Sequence, residues 1–384
     1  MTTKNQKGKK EEKDKTKEQD NKEKRKKRLL VATDSYLPRW DGVARFLSEI
    51  IPEIDDDFDI TLVAPSFPGK YSQNNKIKEV RFPLQKLRIG DYTPPKASRK
   101  KIEKLVKESD LVWSHTIGPI GSSAINSAKK LKKKTVAYIH SIEWELVSNS
   151  INKPLLRDPV SMIVKEYSKN LYNKCSLLMV PSRKTGDILQ WKKITTHKIV
   201  VRLGVNTSKF LPPLNKDAAK MNLNISPKMK VIGFTGRVAY EKNLKTLARA
   251  FIRLKDEYEN IILLIVGDGV PELKEKFSKI EGVKMVGSKD NIVQYLQAMD
   301  IYVLPSLTET TSLSTLEAMS CEIPVVATPV GDVAFYLVNN VNGFKFSKEN
   351  SFDLVVKLRK LLDNPELRKR IGTAARSTVV ENFS

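Results

Sequence analysis

The chain is poor in the residues that build metal centres and disulfide frameworks: of 384 residues, two are cysteine and three are histidine. Cys175 and Cys321 cannot form a framework, which predicts free, buried thiols in a reducing compartment. His115, His140 and His197 show no ligand spacing with either cysteine, so no metal is expected from them. Long apolar runs are also missing. A spanning helix needs about 18 or more consecutive apolar residues, whereas the longest run here, Ile261–Val266, has the length of a strand. Residues 29–32 follow a basic stretch but are too short for the apolar core of a signal peptide. The expectation is a cytoplasmic protein, either soluble or peripheral on the inner face of a membrane. Acidic residues are in deficit, 44 against 68 basic ones, and the formal charge of +24 points to an anionic partner: nucleic acid, acidic lipid or a phosphorylated substrate. Aromatic residues make up 7% and do not interleave with the basic clusters, so specific nucleic-acid binding is not expected.

What is present suits two domains, because 384 residues exceed one ordinary core. Residues 1–28 hold 13 basic and 6 acidic residues and no apolar one after Met1, which predicts a disordered basic tail carrying +7 of the charge and acting as a solubilising extension. Buried-strand patterns then fall at 29–32, 60–64, 80–82, 111–114, 135–139, 176–180 and 199–201, with helical spacing at 43–51, 98–107, 120–133 and 159–172. A linker with Pro212 and Pro213 lies near 204–214. A second series follows, with strands at 230–234, 261–266, 283–286, 301–304 and from Val325, helices at 243–256, 271–280, 290–298, 351–363 and 365–382, and a helical pattern through Leu313, Leu316 and Met319. This alternation predicts an α/β chain of two Rossmann-like, doubly wound domains, 29–205 and 206–384, facing a cleft at the carboxyl ends of their strands.

The most informative stretch is 300–332, DIYVLPSLTETTSLSTLEAMSCEIPVVATPVGD. Glu309 sits in the loop after a strand, and Glu317 one turn into the following helix. Between them Thr311, Ser312, Leu313 and Ser314 present the unpaired N–H groups of a helix start, which attracts anions and phosphates above all. A competing local reading makes Ser314-x-x-Glu317 a capping box and Glu309 a solvated loop acid. Upstream, Gly236-Arg237-Val238-Ala239-Tyr240-Glu241-Lys242-Asn243 joins a strand to a helix. Arg237 offers a planar fork of donors and Lys242 a point charge, both suited to a leaving diphosphate. A Lys at a helix start opposes the dipole, which favours a functional role over simple exposure. Gly42 ends the loop after the first strand, where the absence of a side chain lets backbone N–H groups approach a phosphate. His140 ends a strand, a position that projects into the cleft; Gly267-Asp268-Gly269 is too short for a dinucleotide fingerprint.

These elements together resemble the retaining glycosyltransferases of family 4, which have the GT-B fold. The likeness lies in the Glu, seven residues, Glu motif of Glu309 and Glu317, in Leu316-Glu317-Ala318-Met319, in the PVVATPVGD that follows, and in the Gly-Arg, short loop, Lys element. It covers roughly residues 29–384. The resemblance implies a hexose donor carried on a nucleotide diphosphate and no cofactor besides it. Glu317 would take the ribose and Arg237 and Lys242 the diphosphate, with the amides of Ser312, Leu313 and Ser314 assisting. Glu309 would orient the sugar, with His140 touching it and Gly42 lining the donor site. It implies further that His115 lines the acceptor side, that the turn at 267–269 packs beside the nucleotide, and that the acceptor is a lipid or a glycan. The Asp-x-Asp spacing in 55–59 is the metal signature of the other large glycosyltransferase fold, but it falls in a helix-to-strand turn, so a solvated turn and a metal-independent enzyme are expected. Basic clusters at 99–101 and 129–134 are either solvated helix faces or a surface for an anionic membrane.

The sequence also departs from the family. Thr310 and Ser312 stand where small glycines are common, which predicts altered sugar choice, and Glu322 stands where a glycine commonly follows the helix, read as a different turn. The chain stops at Phe383-Ser384, where relatives continue into a helix crossing back onto the first domain, which predicts altered closure or a shortened chain. Two rivals carry discriminators. A sugar-nucleotide epimerase of the same architecture needs further acid/base groups in the cleft. A non-enzymatic binder of nucleic acid or anionic surfaces binds in a salt-sensitive way that survives loss of Glu309 and Glu317.

Overall fold

A computed structural model describes residues 26–86, 92–151 and 154–384. Residues 1–25 of the predicted tail lie outside the described residues; of its last three positions, Lys27 and Arg28 already belong to the first strand. Strands β1 (Lys27–Ala32), β2 (Phe58–Pro65), β3 (Lys78–Phe82), β4 (Leu111–Ser114), β5 (Lys134–Tyr138), β6 (Leu177–Val180) and β7 (Lys198–Val200) form one sheet in the order β3-β2-β1-β4-β5-β6-β7. Strands β8 (Lys230–Thr235), β9 (Ile261–Val266), β10 (Val283–Met285), β11 (Ile301–Leu304), β12 (Val325–Ala327) and β13 (Phe344–Lys345) form a second, in the order β10-β9-β8-β11-β12-β13. Neighbouring strands are parallel throughout both sheets.

The local reasons are visible in the sequence. β8, β9 and β11 are nearly continuous apolar runs because both of their faces are covered by helices. Helix Gly42–Ile54 starts at Asp41, whose carboxylate accepts the Val43 and Ala44 N–H groups. It buries Ala44, Leu47 and Ile51, the last two in one cluster with Leu29, Val31, Ile60 and Leu62. Helix Leu244–Lys255 buries Leu244, Leu247, Ala248, Phe251 and Leu254 at helical spacing. The order reverses direction between β1 and β4 and again between β8 and β11. Such switch points open crevices at the carboxyl ends of strands, which makes the loops after these four strands the candidate ligand sites.

Three short helices escaped the periodicity, Glu143–Ser150, Lys216–Met221 and Val333–Tyr336, as did the two-residue strand β13. None of the three helices carries an apolar stripe, since they bury Trp144 alone, Lys220 alone, and Val333 with Tyr336, and β13 is too short to show an alternation. The acidic run forms the turn its composition predicts, with Asp56 exposed, but Asp55 is not solvated. It is buried and accepts from Asn74 Nδ2 (2.8 Å) and Lys76 Nζ (3.2 Å), which together hold its carboxyl below the usual range. Cys175 and Cys321 are both buried and unpaired. Among the described residues no helix is long and apolar enough to cross a membrane, and no group of three or more His, Cys, Asp or Glu side chains could hold a metal ion.

Glu322 does not make a different turn. It follows helix Leu313–Ser320 with φ of 59°, the left-handed conformation a glycine takes at that place. An L side chain there costs about 1–2 kcal/mol. Glu322→Gly is therefore expected to stabilise the fold by about 1 kcal/mol after the glycine's entropy loss is deducted, measured by urea unfolding.

Candidate functional site

The four switch-point loops meet in one cleft, but the two domains furnish it differently. In the first, Asp34 from the loop after β1 is buried over the start of helix Pro119–Lys130. It accepts from Thr116 Oγ1 (2.6 Å), Ile120 N (2.8 Å) and Gly121 N (3.1 Å). Burial pushes this carboxyl up, against the pull of those hydrogen bonds. The anion-attracting helix end of the first domain is thus held by the chain's own carboxylate. In the second domain the equivalent loop, after β8, contributes Gly236 and Arg237 instead. Helix Leu313–Ser320 starts at Ser312, whose side chain accepts from Thr315 N. That corrects the capping-box reading, since the cap is Ser312 and Ser314 lies inside the first turn, its Oγ 2.9 Å from Tyr302 OH.

Charged side chains converge on this helix start. Lys242 Nζ is 2.6 Å from Glu309 Oε1, and Ser306 Oγ donates to the same oxygen at 2.7 Å. Glu309 is therefore no freely solvated loop acid. Arg237 pairs with Glu241, a carboxylate only 1% exposed, and Ser150 Oγ of the first domain reaches the other Glu241 oxygen at 3.2 Å. Glu317 is buried, and every residue of its helix from Thr315 onward is buried too. Burial pushes its carboxyl up to about 7, with Glu49 adding to the shift and Arg45 and Lys209 opposing it. Arg45 comes from the other domain, on helix Gly42–Ile54, and its NH2 lies 3.1 Å from Glu317 Oε1 and its guanidinium over the Phe210 ring.

The loop bearing Glu309 is fixed on both sides. Asp332 N donates to Thr310 O (2.7 Å), and Thr311 Oγ1 donates to Asp332 Oδ2 (2.5 Å). Gly331, at φ 51°, permits this approach, because a Cβ there would stand 2.3 Å from Glu309 O. Thr310, where a glycine is common in the family, donates to His140 O at 2.5 Å across the cleft. Thr308 Oγ1 meets Glu145 Oε2 (3.2 Å), and Trp40 Nε1 donates to Asp290 (3.0 Å). The turn at 267–269 packs on the Arg237 loop through Val238 N to Asp268 O (2.8 Å).

His140 follows β5 and stands at the cleft, but its Nε2 is turned to His115 Nδ1, 2.9 Å away, in a cluster with Phe46, Trp113 and Tyr138. Burial pushes its pKa down to about 3, offset in part by Asp41, and burial lowers that of His115 as well. Both rings are neutral, so His140 offers a hydrogen bond and no charge. His197 is exposed and remote from this cluster. Asp41 lies in the same cleft wall, taking Ser35 Oγ and Arg39 Nε (3.2 Å) besides its capping bonds. Burial raises its pKa, but Arg39, those hydrogen bonds and Arg237 outweigh it and hold the carboxylate below its usual range. Gly42 is exposed beside it, and a Cβ there would meet nothing within 4 Å.

The structure therefore gathers Gly42, His140, Arg237, Lys242, Glu309, Ser312, Leu313, Ser314 and Glu317 around one cleft. Sequence reading missed their partners: Asp41, Arg45, Glu241, Thr310 and Asp332. An Asp just before the helix-starting Gly42 was a readable cap signal. Glu241, four residues after Arg237, also lay within local reach, whereas Arg45, Thr310 and Asp332 are partners only in three dimensions.

Comparison with known proteins places the chain. The family described as Glycosyl transferases group 1 matches residues 215–378, and Glycosyltransferase Family 4 matches residues 40–209. Alpha-monoglucosyldiacylglycerol synthase of Acholeplasma laidlawii is 23% identical over 92% of this chain and 92% of its own. Sulfoquinovosyl transferase SQD2 of Arabidopsis thaliana is 30% identical over 89% of this chain and 66% of its own. The solved structure of sucrose-phosphate synthase from Thermosynechococcus elongatus shares the fold with a TM-score of 0.72 at 17% identity, covering 93% of this chain and 95% of that one.

Two substitutions separate the structural from the open side of this cleft. Asp34→Ala strands three buried donors and should cost about 3 kcal/mol in urea unfolding. Gly42→Ala, by contrast, should change stability by less than about 0.5 kcal/mol, because its added methyl meets only open space.

Proposed function

The chain belongs to the family 4 glycosyltransferases, the glycosyl transferases group 1 with the GT-B fold, and on that premise we propose that it moves a hexose from a nucleotide-diphosphate sugar to a lipid or glycan acceptor with retention of configuration. The single observation that carries this reading is that the ion pairs Lys242–Glu309 and Arg237–Glu241 lie in the two joined loops of the second switch point, the second of which runs into helix Leu313–Ser320. The second domain, 206–384, holds the donor, and the first, 29–205, offers the acceptor surface. A lipid acceptor is supported by the Acholeplasma relative, whose name specifies a glucosyldiacylglycerol synthase. The protein then works in the cytoplasm, peripheral to the inner face of the membrane.

In this mechanism Arg237 and Lys242 sit against the diphosphate and take up the charge that grows as it leaves, helped by the amides of Ser312, Leu313 and Ser314. No metal is required for that neutralisation. Glu317 accepts from the ribose hydroxyls. Glu309 accepts from a sugar hydroxyl while its ion pair with Lys242 fixes its rotamer. The bond from the anomeric carbon to the diphosphate oxygen breaks, and the acceptor oxygen bonds to the same face of that carbon. The acceptor's proton passes to the departing diphosphate oxygen. His140, neutral, contributes a hydrogen bond to the sugar, and Gly42 leaves room for the donor beside the cap of its helix.

A panel of UDP-, GDP- and ADP-sugars tests this reading by hydrolysis. One donor should turn over, and Lys242→Ala should reduce its turnover by about 100-fold or more; turnover of no donor, or turnover indifferent to Lys242, refutes the reading. A second expectation concerns pH. Below about 7 Glu317 is protonated and loses acceptor capacity, so donor KM should fall about tenfold between pH 6 and pH 8. Arg45→Leu removes a cation that favours the ionised form and should move that inflexion upward, as steady-state kinetics over the same range would read.

A further inference from the structure

Five large apolar side chains are left exposed between residues 155 and 167: Leu155 (93% exposed), Leu156 (48%), Met162 (65%), Ile163 (69%) and Tyr167 (46%). They belong to the turn Pro154–Leu156 and to one face of helix Arg157–Tyr172, whose opposite face buries Ser168, Leu171 and Tyr172 in the first domain's core. Such a concentration on a folded domain calls for a partner surface.

The ridge has a definite place. Helices Arg99–Glu108, Pro119–Lys130 and Arg157–Tyr172 each lead directly into the start of the next strand, so their first turns stand at the carboxyl ends of the strands, where the cleft opens. They lie side by side, the middle one packed against both others. Tyr167 OH donates to Ile117 O (3.1 Å) in the loop after β4, so that Tyr167 is level with the rim. Met162, Ile163, Leu156 and Leu155 lie further toward the start of the helix and project beyond the rim, since a helix rises about 1.5 Å per residue. On the other flank Arg99, Lys100 and Lys101 are exposed at the same end, Lys101 over the ring of Phe82 at the tip of β3. The second basic cluster, 129–134, runs into the start of β5 and is at the far end of the sheet. The two clusters therefore cannot serve one flat surface.

We propose that Leu155, Leu156, Met162 and Ile163, flanked by Arg99, Lys100 and Lys101, form a docking surface that inserts into the anionic leaflet of a lipid bilayer and sets the acceptor side of the cleft against its headgroups. This rests on the lipid-acceptor reading above. Apolar side chains beside a basic cluster match the acyl boundary and the anionic headgroups of one leaflet. A second copy of the chain seated on the ridge would instead cover the entrance the acceptor uses. The charged groups on the ridge helix agree, since Arg157, Lys165 and Lys169 outnumber Asp158 and Glu166, and Glu166 is held by Lys169 at 3.0 Å.

The test is sedimentation of the full chain with vesicles of phosphatidylcholine alone or containing phosphatidylglycerol. The quadruple variant Leu155→Ser, Leu156→Ser, Met162→Ser, Ile163→Ser should lose binding to the anionic vesicles by about tenfold or more, with unchanged melting temperature and unchanged hydrolysis of a soluble donor. Arg99→Gln, Lys100→Gln, Lys101→Gln should weaken binding, and Lys129→Gln, Lys130→Gln, Lys132→Gln, Lys134→Gln should leave it as it was. The tail is present in every variant, so the differences read the ridge and its flank. Equal binding by the quadruple variant overturns the proposal. So does a change from dimer to monomer in its sedimentation coefficient, which would make the ridge a self-interface. Failure of all donors to turn over, with ridge-dependent binding intact, would sink the catalytic reading and leave the docking surface standing.

Discussion

Charges in this cleft are sheltered from water, and a sheltered charge must be compensated. Lys242 is held by Glu309, Arg237 by Glu241, and Glu317 by an arginine reaching over from the other domain. These pairs fix the rotamers that a diphosphate and a ribose would meet. On the proposed reading, binding there would be an exchange of partners, with little reorganisation of side chains. That preorganisation is what a charge-developing transfer needs, because dipoles and charges already in place cost nothing to orient as the leaving group departs.

The two sheets share one strand order yet serve different ends, and a single position accounts for it. Where the first domain sends Asp34 into the start of helix Pro119–Lys130, the second has Gly236 and Arg237, the arginine paired with Glu241. A carboxylate in such a crevice satisfies the helix end and closes it to other anions, whereas an arginine adds to its attraction. On the proposed reading, duplicated architecture thus yields one anion site instead of two.

The closure between the domains is carried by small polar contacts. Thr310 donates to the His140 carbonyl, Thr308 meets Glu145, Ser150 meets Glu241, and Trp40 donates to Asp290. Two of these involve the loop that bears Glu309, so the geometry of that carboxylate is tied to how the domains sit. Thr310 is the instructive case. In the sequence it is only a departure from a glycine-rich loop; in the fold its hydroxyl is a strut across the cleft.

Apolar runs such as IILLIV at 261–266 and the stripe of Leu244, Leu247, Phe251 and Leu254 were legible because strand and helix periods are local properties of the chain. So was the placing of Glu309 in the loop after β11 and of Glu317 in the helix that follows, since a helix start beside a strand end is written in consecutive residues. The short helix Glu143–Ser150 was not legible, since it buries Trp144 alone and shows no apolar stripe. Nor were the partners. Arg45 and Glu317 are held together by the packing of two domains, Asp34 and Ile120 by the adjacency of β1 and β4, and nothing in their spacing announces it. Sequence alone determined two doubly wound domains and the charged groups of one of them, because both follow from short-range pattern. Only tertiary structure decided which carboxylate neutralises which cation and which basic cluster shares an end with the exposed apolar ridge. Those pairings depend on distances between segments far apart along the chain.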